Sequence, residues 1–268
     1  MSAQEILMKP LKHVFDYSEY IKNPNLPDKK VSLVAINSAA GEAIKNLTEM
    51  GIECLPVDVD SRLPMPINSH ADIQLLHMGK NTVFCHKEHL FTGEFKMFFN
   101  IKEINSICSN EYPNDVFLNC TLIGDKLICN PKTVATEIID YAANNGLTVI
   151  PVNQGYARCS VCVINDNTLI TDDESIFRAA GNFLNDVLFI SKGSIGLKGY
   201  NYGFIGGCCG KIDKNIIAFN GELKYHNDYK KICDFLNKHS IEYIELKKGK
   251  LEDIGGILPI LQYKTNFI

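Results

Sequence analysis

Asp72 and Arg158 are the two residues of this sequence whose types are best suited to holding a small charged compound. A carboxylate and a guanidinium that face each other across a narrow space can clamp a zwitterion by charge-assisted hydrogen bonds. The same two groups can equally form a structural ion pair, because buried charges usually find a partner. Both interpretations require that the two residues lie close together in the fold.

Cys208 and His70 are the candidates for catalysis. A thiol becomes a nucleophile when a nearby cation lowers its pKa, and Arg158 is the candidate cation for Cys208. His70, together with Asp115, could transfer protons. The alternatives are that Cys208 is a packed thiol beside a glycine-rich segment and that His70 is an ordinary loop histidine.

Most of these residues lie in a short hairpin motif that occurs five times in the sequence. Each complete copy has an alternating strand, a tight turn and a second short strand. Repeats at a spacing of roughly forty to fifty residues indicate a radial or solenoid architecture. The copies, of which the last ends before its turn, are Ala71–Phe84, Val116–Cys129, Ala157–Ile170, Ile205–Ala218 and Ile254–Leu261.

A helix and a third strand follow most copies, and the elements that the fifth copy lacks stand near the N-terminus. Val31–Ile36 is predicted as a strand, Ala40–Met50 as a helix and Glu53–Val57 as a strand. A ring closed by its first and last segments removes exposed sheet edges. The sequence therefore predicts an α/β fold of five ββαβ repeats in a pseudo-fivefold α/β-propeller. The predicted extents are residues 1–268 for a single domain, 1–30 for an N-terminal extension, and 31–57 with 254–268 for the blade shared by both termini.

The alternation within the hairpins separates a packing face from a polar face. Alternate residues of a strand point to opposite faces, so the aligned copies sort into two columns. One column, with Ile73 and Cys159, is mostly apolar and fits packing under the helices. The other column predicts a pocket at the centre of the ring, although a slip of one residue would exchange the two. The polar members of that second column are Asp72, Gln74, Asn119, Arg158, Ser160 and Cys208.

Two local motifs, Asn114-Asp115-Val-Phe and Gly255-Gly256-Ile257, add to the repeat. With the repeat order they resemble the pentein fold and its guanidine-modifying superfamily of arginine and agmatine deiminases, amidinotransferases and dimethylargininases. The resemblance implies that Asp115 helps to hold a guanidinium group. The sequence departs from that superfamily where its nucleophilic cysteine would fall, at 258–260, and where its proton-transfer histidine would fall, at 156–160. The resemblance is therefore to a divergent relative.

Length and composition limit the classes of function. A chain of 268 residues with 46% hydrophobic content is globular, and a net charge of −4 with scattered basic residues argues against nucleic acid as a partner. The sequence has no glycine-rich nucleotide motif, so no cofactor is predicted. Its ten cysteines are read as reduced, mostly buried thiols, and no metal site is predicted. Since neither a leader peptide nor a membrane span is recognisable, the predicted location is the cytoplasm.

These observations support two functional hypotheses. The first is a pentein that binds a small guanidino or amino-acid-like compound, with hydrolysis as a further step through Cys208 and His70. The second is a non-catalytic pentein that acts through protein–protein contacts, as the ribosome anti-association branch of the fold does. An open axial cavity in which Asp72 faces Arg158 would favour the first, and a plugged axis the second. The ligand groups of the first hypothesis are Asp72, Gln74, Asp115, Asn119, Arg158 and Ser160.

Overall fold

The computed structural model describes residues 11–87 and 93–265. The first ten residues of the predicted extension and the last three of the predicted shared blade lie outside this part. The described strands form five small sheets that alternate with short helices along the chain. The result is a mixed α/β structure.

Four of the sheets have three strands each and follow one order along the chain. In each, the first two strands form an antiparallel hairpin, and the third pairs in parallel with the second. A helix connects the second strand to the third, because a parallel pair needs a long crossover. The strands are β4 (Leu75–His77), β5 (Thr82–His86), β6 (Asn100–Ile104), β7 (Thr121–Ile123), β8 (Lys126–Cys129), β9 (Thr148–Pro151), β10 (Val161–Asn165), β11 (Thr168–Thr171), β12 (Asp186–Phe189), β13 (Cys209–Asp213), β14 (Ile216–Phe219) and β15 (Glu242–Glu245).

The remaining sheet joins the two ends of the chain. Its order is β1 (Ser18–Tyr20), β16 (Ile257–Tyr263), β2 (Val31–Asn37) and β3 (Glu53–Val57). β16 lies antiparallel to both neighbours, and β2 lies parallel to β3. β1 was not predicted, and it covers the edge of β16 that would otherwise be open to pairing with another molecule.

The longer helices pack on the sheets through residues spaced four apart. Ile138 and Ala142 are buried in one helix, and Ile176 and Ala180 in the next. This spacing places both side chains of a pair on one face. Within the described residues, no helix has the length and apolar character that crossing a membrane requires. The helices are Leu11–Tyr17, Gly41–Glu49, Ala71–Gln74, Gly93–Phe98, Thr136–Asn144, Glu174–Ala180 and Tyr229–Lys238.

The residues predicted to begin the first strand of each hairpin instead form tight turns that precede it. Ala71–Gln74 is a single helical turn before β4, and Gly206–Cys208 is another before β13. Asn119 and Arg158 likewise precede β7 and β10. The prediction of two alternating columns is wrong for these segments, because a turn does not direct successive side chains to opposite faces.

Candidate functional site

The turns before the first strands are joined to one another by backbone hydrogen bonds. Asp72 donates its N–H to the Gly255 carbonyl at 3.1 Å, which links the first hairpin to the last strand. The Gly207 N–H binds the Cys159 carbonyl at 3.1 Å, and the Gly207 carbonyl accepts from Gly256 N at 2.8 Å. Four of the five sheets therefore meet here through their main chains.

Asn119 connects the remaining sheet to this junction with its side chain. Its Oδ1 accepts from the backbone N–H of Arg158 at 2.7 Å and of Cys159 at 3.3 Å. Its Nδ2 donates to the Asp72 carbonyl at 3.0 Å and lies 3.1 Å from the Cys159 sulfur. Asn119 is fully buried and uses both ends of its amide. Asn119, one of the predicted site residues, therefore lies at this junction, where its side chain holds the backbone of the neighbouring turns in position.

Beside the junction lies a cavity of about 220 Å³. Four aromatic residues line it, namely Tyr156, Tyr200, Tyr202 and Phe204. The Tyr156 and Phe204 ring centroids are 6.0 Å apart, and the Tyr202 ring stands at 82° to that of Phe204 at 5.9 Å. Aromatic faces carry partial negative charge, so such walls favour a bound cation.

Asp115 orients one of these walls. The Tyr156 hydroxyl donates to Asp115 Oδ2 at 2.5 Å, while Asp115 Oδ1 is buried without a hydrogen-bond partner. Burial raises the pKa of the Asp115 carboxyl, and the bond from Tyr156 offsets part of this effect. Asp115 does not itself line the cavity. The sequence prediction that it binds the ligand is replaced by a positioning role through Tyr156.

Asp253 is the buried carboxylate that lines the cavity. Its Oδ2 accepts from the Phe204 N–H at 2.9 Å and its Oδ1 from the Gly255 N–H at 3.0 Å. His70 Nδ1 lies 3.8 Å from Oδ1 and also lines the cavity. Burial raises the pKa of the Asp253 carboxyl above its ordinary value, and the charge of His70 partly offsets this. Asp253 is therefore the carboxyl group that a ligand in the cavity would meet.

Cys159 and Asp72 form a buried pair at the base of the cavity. The Cys159 thiol, which lines the cavity, donates to Asp72 Oδ2 at 3.0 Å. Burial, and then the negative charge of Asp72, raise the pKa of this thiol well above its ordinary value. A thiol held in its protonated form is a poor nucleophile. Cys159 was predicted to pack under the helices, and the structure corrects that prediction.

Asp72 and Arg158 do not form the predicted clamp. Both line a cavity of about 20 Å³ along the first strands, yet no ion pair joins these two described residues, and Arg158 Nη1 donates instead to the Val161 carbonyl at 3.3 Å. Asn25 lines the same cavity and donates its side-chain amide to the Leu122 carbonyl at 3.0 Å. Residues of the predicted N-terminal extension therefore close this small space.

Gln74 and Ser160 lie outside the aromatic cavity. The Gln74 amide donates to the carbonyls of Asp58 at 2.7 Å and Asn68 at 2.6 Å, and so holds the loop that follows β3. The Ser160 hydroxyl is buried without a hydrogen-bond partner. Neither residue lines the space where a ligand would fit, so their ligand-binding roles are not supported by their surroundings.

Cys208 lies in the apolar core, away from the cavity. Its thiol donates to the Ile205 carbonyl at 3.2 Å, and it packs within a large apolar cluster that includes Phe219. Burial, and then the neighbouring Cys209, raise its pKa well above the ordinary value. The predicted activating cation is Arg158, whose guanidinium is directed elsewhere. The structure places Cys208 as the packed thiol of the alternative interpretation.

One family model matches residues 35–258 of the chain, which includes the junction and the whole cavity. The family is described as DUF6873, a family of unknown function. The chain belongs to this family. Among curated proteins, none matches the sequence.

Solved structures with the same fold include two enzymes. The first is DDAH from Pseudomonas aeruginosa in complex with citrulline, with a TM-score of 0.52 and 11% identity over 86% of this chain and 96% of that one. The second is an inosamine-phosphate amidinotransferase from Streptomyces griseus, with a TM-score of 0.55 and 12% identity over 86% of this chain and 91% of that one. At such identities the similarity concerns the fold alone, and it confirms the predicted resemblance of this DUF6873 chain to the pentein fold.

Tyr156, Phe204 and Asp253 of the DUF6873 chain were not predicted as site residues. Two signals in the sequence could have identified Asp253 and Phe204. Asp253 comes two residues before the Gly255-Gly256 motif, and the segment 197–204 places three aromatic residues between two predicted elements. Both segments lie just before copies of the hairpin, so the alternation of residues within the hairpins does not mark them.

Asp172 gives a prediction for the stability of the DUF6873 chain. It follows β11, is buried, and has an Oδ1 without a hydrogen-bond partner. Burial, against a smaller opposing effect of Lys192, raises its pKa from 3.8 to about 7. Because the folded-state pKa is higher, stability is greatest below the ordinary pKa and is lost as pH rises through about 7.

Asp172→Asn removes this penalty. We expect the variant to gain stability relative to the wild type as pH rises. The difference between their free energies of unfolding should grow by about 1–3 kcal/mol from pH 5 to pH 8. Urea denaturation at both pH values measures the difference. Asp166→Asn, in an exposed turn, is the control and should follow the wild type. Parallel pH profiles for Asp172→Asn and the wild type would contradict the prediction.

Proposed function

We propose that this protein binds a small cation of the guanidino or amino-acid-like class in the cavity between Tyr156, Phe204 and Asp253. The observation that carries the proposal is a buried carboxylate beside aromatic walls in a cavity of about 220 Å³. The described residues that line it include neither lysine nor arginine, and the imidazole of His70 lies beside the Asp253 carboxylate at 3.8 Å. A ligand with positive charge is therefore favoured over an anion.

The pentein-like fold gives further support. We infer that the five sheets are arranged about a common axis, because residues from four of them, with Leu118 and Cys120 just before β7 of the remaining one, line two small cavities that share Asn25, Arg158 and Pro259. In this arrangement the aromatic cavity lies at one end of the axis, and the segment around Asn25 covers the strands beyond it. One of the similar structures holds citrulline, which is consistent with an amino-acid-like ligand for the fold.

The proposal is limited to binding. Cys208 lies outside the cavity, and the thiol of Cys159 has a raised pKa. Neither provides the thiolate that attack on an amidine carbon requires. Hydrolysis of the ligand remains a prediction made from the sequence alone. The space that Asp72 and Arg158 line is small and closed by Asn25, which is what the second hypothesis expected, so the support for a ligand binder comes from the separate aromatic cavity.

Asp253→Asn tests the proposal. The variant removes the negative charge of the cavity while it retains the size of the side chain. We expect the wild type to bind agmatine, arginine, citrulline or methylguanidines. The variant should bind the cationic members of this set at least tenfold more weakly, since charge-assisted bonds contribute about 1.5–3 kcal/mol. Thermal shift over a ligand series, followed by calorimetry, measures both. Asp166→Asn serves as the exposed control.

The pH dependence of binding provides a second readout. Because the pKa of Asp253 is raised, the carboxylate loses its charge at a higher pH than an ordinary aspartate. Cation affinity should therefore fall, as pH is lowered, at a higher pH than protonation of an ordinary aspartate would cause, and this dependence should be absent in Asp253→Asn. Wild-type protein that binds no member of the series at pH 8 would refute the proposed function.

A further inference from the structure

The walls of the aromatic cavity are arranged as a cage. Phe204 contacts two other rings of the cavity: it stacks with Tyr156 at an interplanar angle of 25°, and Tyr202 meets it nearly edge-on at 82°. The two tyrosine rings are anchored: Tyr156 is bound to Asp115, and Lys192 lies 5.8 Å from the centroid of Tyr202. Rings fixed at such angles can surround a cation with several π faces at once.

The interior of the same cavity offers fewer hydrogen-bond acceptor sites than a guanidinium group has N–H donors, because Asp253 keeps only one further site on each oxygen. Both oxygens of Asp253 already accept a backbone N–H, one from Phe204 and one from Gly255. Among the other polar side chains that line the cavity, Tyr200 and Asn201 are exposed and lie toward solvent, whereas His70 is buried with its Nδ1 3.8 Å from Asp253 Oδ1. The interior is completed by aliphatic side chains, Ile67, Ile73 and Leu197.

Aromatic walls together with a limited number of hydrogen-bond acceptors favour one kind of cation over another. A guanidinium group carries several N–H donors, and each donor that is buried without an acceptor lowers affinity. A fully alkylated ammonium carries positive charge and no N–H donor, so an apolar cage with one carboxylate satisfies it completely. The charge of Asp253 then acts across the cavity without a direct hydrogen bond.

We propose that the preferred ligand of this cavity carries an N-alkylated ammonium group, of the trimethyl- or tetraalkylammonium type. This inference rests on the proposed function, since it assumes that the cavity binds a cation, and it narrows the chemical class of that cation. It assigns Phe204 as the specificity-determining residue, because this ring lines the cavity and contacts both Tyr156 and Tyr202.

The test compares chloride salts of tetramethylammonium, choline, guanidinium and agmatine at pH 8 and constant ionic strength, with calorimetry on the full chain. We expect tetramethylammonium and choline to bind at least tenfold more tightly than guanidinium. Phe204→Leu should lower the affinity for tetramethylammonium about tenfold and affect guanidinium less. Phe204→Tyr, which keeps an aromatic face, should retain wild-type affinity, and Phe177→Leu, at a partly exposed ring outside the cavity, serves as the control.

The outcomes are distinguishable. Tighter binding of guanidinium or agmatine than of tetramethylammonium would overturn this inference and leave the proposed function intact. Absence of binding by every cation would overturn both. Circular dichroism shows whether Phe204→Leu folds. If it does not, the Phe204→Tyr variant and the order of affinities in the wild type still test the inference, since an aromatic cage requires the alkylated cations to bind most tightly.

Discussion

Gly207→Ala is expected to destabilise the fold severely and to abolish ligand binding. A Cβ atom at this position would lie 2.0 Å from Asp253 Oδ1 and 2.3 Å from Asp253 Cγ. The carboxylate cannot move aside, because its two oxygens are held by the N–H groups of Phe204 and Gly255. The main chain of Gly207 is also fixed, since its carbonyl accepts from both Ile254 and Gly256.

We expect a loss of more than about 3 kcal/mol in the free energy of unfolding, at the upper end of the range for overpacking. Urea denaturation measures it, and thermal shift with the cation series measures the loss of binding. Gly41→Ala is the matched control, because no atom lies within 4 Å of its added Cβ. Gly41 begins a helix, where alanine is favourable, so this variant should be as stable as the wild type or slightly more so. A Gly207→Ala protein with normal stability and binding would show that the junction is not packed as described.

Asn119→Ala is expected to have the second largest effect. The side chain joins the second hairpin to the turns of the first and third through Asp72, Arg158 and Cys159. Its removal leaves the Arg158 and Cys159 N–H groups and the Asp72 carbonyl without this partner in a buried site. Each unsatisfied group costs about 1–3 kcal/mol, so we expect a total loss of roughly 3–5 kcal/mol.

The loss can be assigned to the junction by a matched substitution. Asn144→Ala removes an exposed asparagine in a helix and should leave the free energy of unfolding almost unchanged. Hydrogen exchange of the Arg158 and Cys159 amides should accelerate in Asn119→Ala relative to both the wild type and Asn144→Ala. Unchanged exchange at these two amides would contradict the role given to Asn119.

The elements of the fold were largely predictable because their signals are local. Glu53–Val57 is a strand with the predicted limits. The acidic residues before Ile176 predicted a helix start, and Asp173 caps it by accepting from Ser175 N and Ile176 N. Turn residues and helix caps act within a few positions in the chain, so the sequence displays them directly.

The candidate site was predictable only in part because its geometry depends on contacts between distant segments. Asp72 alternates with apolar neighbours as a strand residue would, yet its backbone N–H bonds to Gly255 and its segment forms a helical turn. The tertiary contact therefore decides the local conformation. Asn119 was found because a buried polar residue is conspicuous in an apolar run, whereas Phe204 lies in a connecting segment with no repeat to mark it.

The pairing of β16 with β1 and β2 has a consequence for the order of events during synthesis. Within that sheet, Gln262 bonds to Glu19, 243 positions earlier in the chain. At a synthesis rate of about 5–20 residues per second, the N-terminal strands would wait roughly 10–50 s for their central partner. Throughout that interval the apolar β2 has no strand on one side, and a nascent chain in this state would benefit from a holding chaperone.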